Sequence, residues 1–162
     1  VLGITQGFLP IAGFNYGAQK WERVKGIIRL SILWGSGIAF FIFICIMFFS
    51  DSIVCIFTTD MELINRTKPA LVICFLATPL LSLQLIGSAY YQAIGRALPA
   101  LLLTLSKQGF FLIPLLFILP TFFELDGIWM AFPLADVLAA AVTFLYLRRG
   151  VKELNDREFV ME

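Results

Sequence analysis

Few side chains in this chain are able to do chemistry, and those that are stand in apolar surroundings. Gln84, Ser88 and Gln92 follow one another at intervals of four, so on a helix they form one column, with Tyr91 on its flank. An unpaired amide in hydrocarbon costs roughly 2–7 kcal/mol. The column therefore predicts either the wall of a wet cavity or a set of hydrogen bonds to a neighbouring helix. Asp136 lies deep in another apolar stretch, about nine residues or ~14 Å beyond Gly127, where that stretch begins. An acid at such depth points to a proton or ion pathway, or else to a hydrogen-bonded clasp between helices. Lys107 is a weaker candidate for the same pathway, because its long stem can also snorkel to the headgroups or line an inner mouth.

Enzymatic chemistry finds no support. There is no histidine, no grouping of nucleophile, base and orienting residue, and no glycine-rich phosphate loop, so neither an enzyme nor a cofactor is expected. Cys45, Cys55 and Cys74 lack a CxxC spacing, fall in or beside hydrophobic stretches, and read as apolar filler.

The elements that must position these residues are four hydrophobic stretches: Leu30 to Phe49, Pro69 to Gly95, Ala97 to Phe123 and Gly127 to Leu147. Each supplies the roughly 20 residues that a helix rising ~1.5 Å per residue needs to cross a ~30 Å hydrocarbon layer. The chain is 60% hydrophobic with a mean hydropathy of +0.92, above the roughly 45–50% apolar content of soluble domains. The lipid bilayer is thus its first partner. A spanning backbone must satisfy its own hydrogen bonds, and the stretches do not alternate as barrel strands do, so the fold class is an all-α integral membrane protein.

The expected organisation is the end of a truncated transmembrane helix over 1–18, an amphipathic basic connector over 19–29, four transmembrane helices within 30–147, and a polar tail over 148–162. Phe40 to Phe49 should face lipid, whereas Gly35, Ser36 and Gly37, and the ridge Ala131, Ala135 and Ala139, allow helices to approach closely. Pro10, Pro79, Pro114, Pro120 and Pro133 each remove a backbone donor. They either kink helices in a protein that moves or reflect the general frequency of proline in membrane spans.

Loop charges set the orientation. Lys20, Arg23, Lys25 and Arg29 precede the first span, Arg96 follows the second, and Arg148, Arg149 and Lys152 follow the fourth, which places these ends and the C-terminus in the cytoplasm. Asp51, Asp60 and Glu62, then Glu124 and Asp126, mark the outer turns, although Arg66 and Lys68 soften the contrast. The net charge of +1 is segregated into loops rather than pooled on one face, so nucleic acid is not an expected partner.

The segment Gly3 to Ala18, GITQGFLPIAGFNYGA, followed by the basic run through Arg23, resembles the multidrug and toxic compound extrusion (MATE) family, notably the bacterial branch with Gln-Gly, Pro-Ile and Gly-Phe-Asn-Tyr-Gly-Ala in its eighth helix. Tyr91 to Arg96 (YQAIGR), Lys107 to Pro114 (KQGFFLIP) and Gly127 to Asp136 (GIWMAFPLAD) agree with it. The resemblance implies the end of helix 8 plus helices 9 to 12 of a twelve-helix, two-lobed carrier in the plasma membrane. Such a carrier exports organic, often cationic compounds in exchange for sodium ions or protons, and here its N-terminal lobe is missing. It also makes Gln6 and Asn15 candidates for cleft lining. The family's coupling acids are discussed on helices 1, 7 and 10; the first two are absent here, and the span matching helix 10 has Gln84 and Gln92 but no acid, so the coupling ion receives no residue. A flippase for lipid-linked saccharides from the same superfamily and a non-transporting membrane subunit are the alternative readings.

Overall fold

The structure, a computed structural model, describes residues 1–159, with side chains through 156. The described residues contain helices and no strands. They are α1 (Leu2–Gly17), α2 (Trp21–Phe57), α3 (Met61–Phe75), a 3-10 turn (Thr78–Leu80), α4 (Leu81–Ala93), α5 (Ala97–Leu105), a π segment (Ser106–Leu112), α6 (Ile113–Ile118) and α7 (Pro120–Phe159). Among the described residues, four helical units are long and apolar enough to cross a membrane: Trp21–Phe57, Met61–Ala93, Ala97–Ile118 and Pro120–Asp156.

Element boundaries differ from the sequence expectation where the backbone finds a way to continue or to break. The connector expected over 19–29 is helical from Trp21 and runs without interruption into the first span, since no proline stands in its way. The second span begins at Met61, where the Asp60 side chain accepts from the Glu62 and Leu63 amides. It is then broken at Pro79 by the 3-10 turn. The third stretch has a break at Leu119, is helical again from Pro120 to Phe123, and reverses at Glu124, whose φ of 51° is unusual for a residue with a Cβ. Gly127 lets that reversal close, because a Cβ there would strike the Leu119 backbone. Residues 148–159, assigned to the tail, continue α7 as helix, and 160–162 lie outside the described residues.

α4 is the hub, packing against α1, α2, α5 and α7, while α3 lies between α2 and α7. Between helices in lipid, packing depends on close approach more than on exclusion of water. Gly35 admits Ser82, whose hydroxyl reaches the Ser31 and Ile32 carbonyls of α2. Gly87 admits Thr143, and Ala131, Ala135 and Ala139 are buried as the expected ridge. Many large apolar side chains point outward: Phe40, Phe41, Phe48 and Phe49 are all exposed, as is appropriate for a lipid-facing surface.

The densest packing lies at one end, where Phe8, Trp21, Val24, Ile28, Tyr90, Tyr91, Leu147 and Leu154 form the core. That end also gathers the basic clusters. Arg96 pairs with Glu153 at 2.7 Å, and Lys25 donates to the Asn155 side chain at 2.8 Å. The hydrogen bond to Glu153 pushes the Arg96 guanidinium above the ordinary arginine range, so it stays charged.

Candidate functional site

The site is built on α4, whose thirteen residues carry two unlike faces. Gln84, Ser88 and Gln92 look into a cavity of about 340 Å³, closed by Thr5 of α1, Leu81, Leu85 and Ala89 of α4, Thr104 of α5, and Lys107 and Gln108 of the π segment. A second hollow of about 590 Å³ shares Ser88, Gln92 and Thr104 and extends past Ala97, Leu98 and Leu101. The Ser88 hydroxyl donates to the Ala100 carbonyl at 3.1 Å and lies 2.7 Å from the Thr104 hydroxyl, which itself donates to Ala100 at 2.9 Å. The column therefore borders a hollow and, through Ser88, also joins α4 to α5.

Lys107 owes its position to the π segment. Pro114 has no N–H to return to the Phe110 carbonyl, and just before it the Ile113 amide reaches back five residues to the Gln108 carbonyl. The widened turn directs Lys107 at α7, where its Nζ lies 2.6 Å from Asp136 Oδ1. The Gln84 amide donates to the same oxygen at 3.3 Å and to the Asp136 carbonyl at 2.9 Å. Lys107, Asp136 and Gln84 thus tie the π segment, α7 and α4 together deep among apolar residues. Lys107 therefore has a carboxylate partner within the bundle, a favourable arrangement for an ammonium in low dielectric, and it also lines the cavity. Asp136 is satisfied rather than solitary, held by a cation and an amide.

The other sequence candidates lie elsewhere. Tyr91 is buried on the opposite face of α4, its hydroxyl donating to the Tyr146 carbonyl of α7 at 2.6 Å, beside Tyr90, which donates to the Gly150 carbonyl at 3.4 Å. It is a packing residue in this arrangement and does not line the cavity. Gln6 is exposed on α1, and its neighbour Thr5 is the α1 residue at the cavity. Asn15 is buried, and its side-chain amide donates to the Ile11 carbonyl at 2.8 Å within its own helix. The residues that sequence reasoning missed are Thr5, Thr104 and Gln108. Thr104 and Gln108 are again four apart in an apolar stretch, the signal that identified the α4 column.

A polar-lined hollow inside a set of bilayer-length helices invites comparison with known membrane proteins, and the family model described as MatE matches residues 1–118. The chain belongs to the MatE family. The multidrug export protein MepA of Staphylococcus aureus (strain MSSA476) is 25% identical over 163 residues, covering 99% of this chain and 36% of the relative. MepA of Staphylococcus haemolyticus (strain JCSC1435) is 25% identical over 143 residues, covering 86% of this chain and 30% of the relative. Among solved structures, a ligand complex of the MATE multidrug transporter DinF-BH superposes with a TM-score of 0.85 at 39% identity, covering 91% of this chain and 33% of that one. The outward-facing form of a MATE transporter of the MOP superfamily shares the fold, with a TM-score of 0.89 at 22% identity over 96% of this chain and 35% of that one. The chain thus spans about a third of the length of the relatives it matches. MatE membership agrees with the resemblance carried by Gly3 to Ala18, and that motif proves to be α1 and the turn after it.

Proposed function

We propose that this MatE chain forms most of the C-terminal lobe of a secondary active efflux transporter, with α1 as the end of helix 8 and the four spans as helices 9 to 12. The complete protein exports organic compounds from the cytoplasm in exchange for sodium ions or protons, without a cofactor and without chemical change to its substrate. It sits in the plasma membrane with the end of α7 in the cytoplasm, and an N-terminal lobe supplies the facing wall of the passage. The observation that carries this reading is the cavity on the hub helix: Gln84, Ser88 and Gln92 present amides and a hydroxyl to a hollow in an otherwise lipid-suited bundle. Adaptable hydrogen-bonding groups on an apolar wall suit varied organic compounds. The multidrug relatives support the substrate class, and the gathering of Arg96, Lys25 and the end of α7 at one pole supports the orientation.

The test is dye efflux from cells lacking their own pumps and expressing the full-length protein. Efflux that stops when the sodium and proton gradients are both collapsed is the expected result. A protein present in the membrane that moves no member of a dye panel would overturn the proposal. Gln84→Leu should alter preference among the dyes more than it alters abundance, and a fall in abundance alone would reduce the column to helix-joining.

A further inference from the structure

Lys107 is the one charged side chain among the described residues lining the cavity on α4, and no acid lines it. Asp136 stands behind it, its side chain 7% exposed against 28% for Lys107. The carboxylate is restrained by Gln84, itself a cavity-lining residue, which bonds both its Oδ1 and the backbone carbonyl of the same residue. The ammonium has three N–H donors and gives one to Asp136 at 2.6 Å. The pair is therefore a dipole whose positive end faces the cavity, surrounded by the side chains of Gln84, Gln92, Gln108, Ser88 and Thr104. In a hollow walled by apolar helices such a dipole acts over a low dielectric, and its pull is stronger than the same pair would exert in water.

The geometry points to Lys107 as the docking point for an anionic group, a carboxylate, sulfonate or phosphate, on the compound that occupies this cavity. An ammonium is a compact charge that pairs readily with such groups. A carried cation would instead meet the like charge first, with the compensating acid out of reach. Asp136 acts as the positioning residue, holding the ammonium at the wall and cancelling its charge when the cavity is empty. The inference rests on the efflux reading only for what happens to the compound afterwards; the binding preference stands or falls by itself.

Fluorescence anisotropy of purified full-length protein in detergent tests it at equilibrium, with fluorescein as the anionic probe and a cationic rhodamine ester as a probe on a similar ring system. Fluorescein should bind the unaltered protein, and Lys107→Met should weaken it by about tenfold to a hundredfold, as expected for loss of a charge-assisted contact. The ratio of fluorescein to rhodamine affinities should fall by about the same factor, and Lys107→Arg should restore most of the fluorescein binding. Equal weakening of both dyes by Lys107→Met in protein that remains monodisperse would overturn the inference, as would fluorescein affinity indifferent to the substitution. If Lys107→Met proves poorly folded, added benzoate or methylphosphonate should compete fluorescein from the unaltered protein while tetramethylammonium should not, and the reverse order would overturn the inference equally. Selective anion binding without energised dye export would leave the docking point standing and count against the efflux reading alone.

Discussion

The two faces of α4 put the same kinds of atoms to opposite uses. On the face toward α7, Tyr90 and Tyr91 donate to the Gly150 and Tyr146 carbonyls, and Gly87 brings Thr143 into contact. On the face toward α1 and α5, Gln84, Ser88 and Gln92 border a hollow of about 340 Å³. The difference shows that polarity in a membrane helix does not by itself mark a binding surface. A phenol whose hydroxyl finds a buried carbonyl is part of the packing, whereas Gln84 and Ser88 both bond a neighbouring helix and border unfilled space, and Gln92 beside them is available to a guest.

The comparison can be broken most forcefully at the joint between the faces. Asp136→Leu strands the Lys107 ammonium and the Gln84 amide, and it should lower the stability of the full-length protein by ~3 kcal/mol, near the low end for a broken buried pair because Lys107 can turn toward the cavity. Thermal unfolding followed by size-exclusion chromatography in detergent reads this out. Adding Lys107→Met should recover most of the loss, and a double variant as weak as the single one would show that the pair does not hold the π segment to α7. On the packed face, Gly87→Ala places a methyl against Thr143 Cγ2 and should destabilise by about 1–3 kcal/mol. Thr143→Ser removes the colliding methyl and should restore the Gly87→Ala protein, an effect the cavity face has no means to produce. Tyr91→Phe should lose ~1 kcal/mol with dye preference unchanged; a shifted preference would mean that the packed face also touches the passage. Smallest of all, Lys68→Ala breaks an exposed pair with Asp51 at 2.7 Å, where ~0–1 kcal/mol is expected, and that only at low salt.

The spans were legible in the sequence because lipid imposes length and hydropathy directly, and the column on α4 because a spacing of four survives in any α-helix. The pairing of Lys107 with Asp136 was not legible. It joins residues on different helices, and its register depends on a π turn that no periodicity announces. Tyr91 was placed on the cavity side because a spacing of three from Ser88 leaves it on the flank, where packing against α7 rather than sequence decides the side it joins. The breaks at Pro79 and Glu124 fell in regions flagged by proline and charge, and the Leu119 carbonyl, accepting from the Phe122 and Phe123 amides, carries the helix past Pro120 to the reversal. Gln6 and Asn15 were candidates as polar groups of the motif that need partners in a membrane; Gln6 is exposed on α1, and the Asn15 amide bonds within its own helix.

The π segment at Ser106–Leu112 has a consequence for how this protein can vary. Because a π segment is an α-helix whose wide turn takes up one surplus residue, excising one position there would let the chain relax to ordinary helical winding while the helices on either side keep their relative rotation. A deletion in a regular helix would instead rotate one flank against the other by ~100° and disturb its packing. A single codon deletion in this stretch thus touches the turn that carries Lys107 and leaves the rest of the bundle in register.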